Sequence, residues 1–157
     1  IFALSMKIEQ VIQTNKFRNK VHKAGLNILY TAWWLKTATY KELKDFGLTH
    51  EQYNVLRILK GKYPQEMCVK DIGYRMIEKN SNVPRIIDRL VDKKLVKRNQ
   101  GEQDGRQTVI QLTQAGLKIL ASSTIKINEL YDNILSLNNK EAETLNNLLE
   151  KIRETEA

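Results

Sequence analysis

Asn80, Ser81, Asn82, Arg85 and Arg89 fall within ten positions of one another, and their side chains share one kind of chemistry. Amides and hydroxyls both donate and accept hydrogen bonds, and a guanidinium offers a rigid fork of donors that fits a phosphate or the N7/O6 edge of a guanine. Lys70, Arg75, Lys97 and Arg98 surround this cluster, and the stretch from Lys70 to Arg106 holds ten lysines and arginines. Such groups recognise a polyanion without making or breaking bonds. Catalysis has no comparable basis: His22 and His50 lie 28 positions apart with no cysteine or carboxylate pattern for a metal, and no glycine loop cradles a phosphate. Neither an enzyme nor a cofactor is expected.

The elements that hold these residues follow from periodicity and punctuation. Residues 7–45 predict a helix, with Val21, Ala24, Ile28, Ala32 and Leu35 at spacings of three and four,. A second apolar set, Leu26, Leu29, Tyr30, Trp33 and Trp34, lies on adjoining faces, so this arm needs cover on more than one side. Phe46-Gly47-Leu48 breaks it. Thr49 to Gln52 fits a capping box that opens a helix ending at Gly61. A short helix over Lys70–Ile77 is expected next, then one capped by Ser81 and running to Lys94, with Pro84 in its first turn where no hydrogen bond is lost. Leu95–Asn99 and Thr108–Leu112 read as a β-hairpin with a polar tip, Gln100 to Arg106. Thr113 and Asn138 are the expected caps of two final helices, reaching about Leu137 and then carrying the stripe Leu145, Leu148, Leu149 and Ile152.

Composition agrees with one folding unit of 157 residues, 41% hydrophobic and 28% charged,. The most apolar window, Leu26–Leu35, is shorter than the roughly 20 residues that span a bilayer. The opening IFALSM lacks the basic segment and long apolar run of a secretory signal, and the internal Met6 leads us to expect that residues 1–5 precede the natural start. The single cysteine, Cys68, cannot close an intrachain disulfide and lies in the apolar run Met67-Cys-Val69, so a buried inert thiol and a cytoplasmic setting are expected. The net charge of +8 divides as +5 over 1–47, +2 over 48–65, +3 over 66–112 and −2 over 113–157. The basic excess therefore lies in the first two thirds of the chain.

Asp104-Gly105-Arg106, followed by Leu112-Thr113 and Gly116, resembles the wing signature of the MarR group of winged-helix regulators. Ser81 to Arg98 is similar to that family's recognition helix and the start of its wing. Two positions depart from the pattern. Pro84 stands where threonine is common, and Lys94 stands where a glycine usually ends the recognition helix, which asks Lys94 for a left-handed backbone.

The resemblance implies a mainly α fold with a small β-hairpin wing. It would divide into dimerisation helices over 7–47, a winged helix-turn-helix lobe over 48–112, and further dimerisation helices over 113–157. It implies a homodimer that binds an inverted-repeat operator in double-stranded DNA, acts as a repressor, and is released by a small aromatic or phenolic effector. Asn80, Ser81, Asn82 and Arg85 are then the candidates for base or nearby phosphate contacts, Arg85 reaching a guanine edge. Arg106 would enter the minor groove with Asp104 orienting it, while Lys70, Arg75, Arg89, Lys97 and Arg98 would contact phosphates. Tyr30, Trp33, Trp34, Tyr40 and Tyr53 either line the effector pocket or simply fill core and interface. The alternative function is a winged-helix protein-interaction module that binds no DNA.

Overall fold

Local side-chain caps set most element boundaries. The computed structural model describes residues 6–101 and 107–154. Thr49 Oγ1 accepts from the Gln52 amide and Gln52 Oε1 from the Thr49 amide, each at 3.2 Å, which opens α3 (His50–Lys60). The same reciprocal pair at Asn138 and Glu141 opens α7 (Asn139–Arg153). Thr113 caps α6 (Gln114–Ile134) by accepting from the Gly116 amide at 3.0 Å.

At the N-terminus, the single long helix expected over 7–45 is two helices, α1 (Ile8–Val11) and α2 (Lys20–Lys44). Gln13 takes a left-handed φ of 52° between them, and Asn19 restarts the helix by accepting from the His22 amide at 2.8 Å. Within Thr14–Asn19 only Phe17 is apolar, so the helical period is absent and the helix lapses there.

Two helices end in one motif. After α2, Gly47 has φ 64°, and the amides of Gly47 and Leu48 donate to Lys44 O and Leu43 O at 2.9 and 3.1 Å. After α5 (Val83–Asp92), Lys94 has φ 58°, and the amides of Lys94 and Leu95 donate to Val91 O and Leu90 O at 2.8 and 2.9 Å. Both are Schellman closures. The left-handed backbone expected of Lys94 is present.

The hairpin strands are β2 (Val96–Gln100) and β3 (Thr108–Leu112), paired antiparallel with Val96 opposite Leu112 and Gln100 opposite Thr108. A third strand, β1 (Met67–Cys68), was not foreseen; it joins the free edge of β3 in the order β1-β3-β2 and leads directly into α4 (Val69–Arg75). At the edge of this sheet Cys68 is half-buried, and its Sγ accepts from the Asp71 amide at 3.4 Å, so it caps α4 where an inert buried thiol was expected.

The core lies where α3, α4, α5, the sheet and α6 meet. Leu56, Leu59, Ile72, Ile87, Leu90, Val96, Ile110 and Leu120 are buried there, and Leu43 brings the end of α2 into it. The rest of α2 is different: of its 25 residues only Thr39 and Leu43 are buried, and α7 buries none. No helix of the described residues is long and apolar enough to cross a membrane.

Candidate nucleic-acid interface

α4 and α5 form a helix-turn-helix whose second helix is sharply two-sided. Val83, Ile87 and Leu90 are buried, while Arg85 and Arg89, one turn apart, face outward. The helix begins one residue later than Ser81 would have capped it. Asn82 Oδ1 accepts from the Arg85 amide at 3.2 Å, and Pro84 sits in the first turn as expected. Ser81 is bound to the turn, its hydroxyl donating to Glu78 O at 2.8 Å. The cap therefore engages one side-chain oxygen of Asn82, leaving its amide group and the exposed Asn80 as donors beside Arg85.

Asn80, Ser81, Asn82, Arg85 and Arg89 all line one open groove of about 640 Å³ between α5 and the start of α3. The structure thus brings five candidate residues to one face. The flanking cations Lys70, Arg75, Lys97 and Arg98 are exposed. Lys70 Nζ lies 5.8 Å from the Tyr74 ring centre. Arg98 pairs with Asp88, which joins β2 to α5. Both partners are about half exposed, so this pair adds little stability,. Asp104 and Arg106, the wing-tip candidates, lie outside the described residues.

Two lysines that the sequence did not single out hold this lobe together. Lys93 Nζ donates to Gly47 O and, at 2.9 Å, to Oε1 of the buried Gln52. Lys36 of α2 bonds Glu78 in the turn before α5, with the Glu51 carboxylate 3.7 Å away. The Glu78 carboxylate raises the Lys36 pKa above its usual 10.5 against the opposing pull of burial, and Glu51 adds to the effect. Burial pushes the Glu51 carboxyl up, but its own backbone amide, the Thr49 hydroxyl and Lys36 together hold it below the usual 4.5. The sequence separations, 41 and 42 positions, leave no local pattern from which either pair could be read.

The five aromatic candidates do not converge. Trp33 and Tyr40 line an open groove of about 380 Å³ with Lys36, Thr37, Thr49, His50 and Glu51. Tyr30 is tilted against Trp33 with ring centres 5.5 Å apart, and Trp34 lies on the outer surface of α2. Tyr53 is buried, its hydroxyl 3.1 Å from Thr124 of α6, and it belongs to the core.

The model of the SarA/Rot transcriptional regulator family matches residues 38–122, more than half of the chain. No curated protein matches the chain by sequence. Solved structures with the same fold include a MarR transcription factor from Planctomyces limnophilus, at 28% identity and TM-score 0.66, with 88% of this chain and 98% of that one covered. The Staphylococcus aureus MepR–DNA complex has 22% identity and TM-score 0.73, covering 85% of this chain and 96% of that one. An organohalide-sensing regulator in its 2,4-dichlorophenol-bound form has 18% identity and TM-score 0.79, covering 99% of this chain and 88% of that one.

Proposed function

The chain belongs to the SarA/Rot family of transcriptional regulators with the MarR-like winged-helix fold, and we propose on that basis that it regulates transcription in the cytoplasm by binding duplex DNA as a homodimer. The observation that carries this reading is the two-sided α5, with Val83, Ile87 and Leu90 in the core and Arg85 and Arg89 outward beside Asn80 and Asn82. A major groove admits a helix and shows each base pair as a distinct donor and acceptor pattern. Arg85 reads a base edge; Arg89, Lys70, Arg75, Lys97 and Arg98 hold phosphates; Asn80, Ser81 and Asn82 fix the start of the helix against the groove. The sequence motif Asp104-Gly105-Arg106 assigns Arg106 to the minor groove.

Dimerisation is supported by apolar side chains that stay exposed among the described residues. Val21, Leu29 and Trp33 of α2 and Leu145, Leu148 and Ile152 of α7 are all exposed. A second copy covers them through segments 7–47 and 113–157, leaving 48–112 to hold the DNA. Two recognition helices then meet half-sites about one helical turn, roughly 34 Å, apart. The Trp33–Tyr40 groove between α2 and α3 is the place for a small aromatic effector that relieves repression, as 2,4-dichlorophenol is bound by one structural neighbour. Selection from a randomised duplex library tests the proposal. Enrichment of an inverted repeat with that spacing supports it, whereas a pool that stays random over successive rounds speaks for an interaction module without DNA binding.

A further inference from the structure

The turn that delivers the recognition helix, residues 76–82, is bonded to both α3 and α2. The Ile77 amide donates to Asn54 Oδ1 of α3 at 3.0 Å. Glu78, next in the chain, bonds Lys36 of α2 through its carboxylate and accepts from both the amide and the hydroxyl of Ser81 through its carbonyl. Asn82, beside Ser81, caps α5. A continuous series of bonds thus runs from α2 through Lys36, Glu78 and Ser81 to the first turn of α5. Among the described residues no other side-chain hydrogen bond or ion pair joins α2 to the segment 69–92. Asn54 tethers the turn to α3 within the same lobe, whereas Lys36 alone ties it to the helix whose outer face lacks a partner.

We propose that Lys36 and Glu78 form a positioning clasp that holds the start of the recognition helix at a fixed place against α2, and that through this placement, rather than through the charge of either side chain, both set DNA affinity and specificity. The inference rests on the reading of α5 as the DNA-contacting helix. Both partners are nearly half exposed, so the clasp adds little to overall stability,. Its effect is orientational, because two helices of a dimer fit their half-sites only if each keeps its place relative to the helix that joins the subunits.

Simple charge gives the opposite sign for one partner, and this makes the clasp testable. Removing a carboxylate near phosphates tightens DNA binding, and removing a lysine weakens it. The clasp instead requires Lys36→Met and Glu78→Gln each to lower the ratio of selected-duplex to scrambled-duplex affinity, by about fivefold to tenfold. The double variant should be no worse than either single one, and Lys36→Arg, which keeps the ion pair, should bind like the wild type. In the full chain without DNA, amide hydrogen exchange over residues 78–85 should quicken in both single variants, with little change in melting temperature. Unchanged exchange in the single variants, additive losses in the double one, or tighter binding by Glu78→Gln overturns the clasp. If the wild-type protein binds no duplex, the exchange measurement still decides the clasp, so its failure is distinguishable from failure of the DNA reading.

Discussion

A β-carbon on Gly116 would stand 2.1 Å from the carbonyl oxygen of Leu95. That oxygen is held in place by the Thr113 amide, which donates to it at 3.1 Å, while the Thr113 hydroxyl donates to the neighbouring Lys94 O at 2.8 Å. The glycine three residues after the cap lets the first turn of α6 seat against the start of the wing. Gly116→Ala is therefore expected to destabilise the fold by about 3 kcal/mol, the upper end for overpacking. The thermal midpoint should fall by roughly 6–12 °C for a chain of this size; a midpoint within a degree of wild type would mean that the contact relaxes freely.

Lys94 presents the reverse case. It closes α5 with φ 58° where Gly47 closes α2 with φ 64°, and a side chain in that conformation costs about 1–2 kcal/mol relative to glycine. Lys94→Gly should raise the melting temperature by about 2–8 °C. A drop would show that the Lys94 side chain supplies something the backbone argument omits.

The two outward arginines of α5 should separate by role. Arg85→Ala is expected to cost about 1–3 kcal/mol on the selected duplex and to relax preference at one base position. Arg89→Ala should weaken all duplexes alike and reduce the salt slope by about one. Competition titrations against single-base variants of the selected site, repeated across a salt series, distinguish the two patterns. Equal effects of both variants on every sequence would remove Arg85 from base reading.

The exposed stripe on α7 bears on assembly. A carboxylate at Leu148, which is 54% exposed in the single chain, would be buried without a partner in a dimer. Leu148→Glu should convert a dimer to a monomer in sedimentation at micromolar concentration and leave the thermal transition of the wing lobe in place. A wild-type protein that sediments as a monomer would contradict the dimer outright.

Legibility in the sequence followed range along the chain. Thr49, Thr113 and Asn138 were readable as caps because each binds an amide three residues on, and Pro84 was readable as a first-turn residue because its missing N–H costs no hydrogen bond there,. The strained Lys94 was readable because the resemblance marked a glycine position that a lysine occupies. The Lys36–Glu78 and Lys93–Gln52 bonds were not, since tertiary packing alone brings together residues so far apart in the chain. β1 has two residues, too few to show a period. The interruption between α1 and α2 was hidden by the strength of the apolar pattern that follows it. Of the candidate interface, the α5 face was legible from spacing, whereas the Lys36–Glu78 bond that joins the turn before it to α2 has no local signature.

Sequence-specific DNA binding by the α5 face is tested by fluorescence anisotropy with the selected duplex and a scrambled one across a salt series. Several phosphate contacts predict a linear fall of log affinity with log salt, at about 0.9 per contact, with the selected duplex bound far more tightly at every salt concentration. Absence of binding to either duplex at low salt would contradict it.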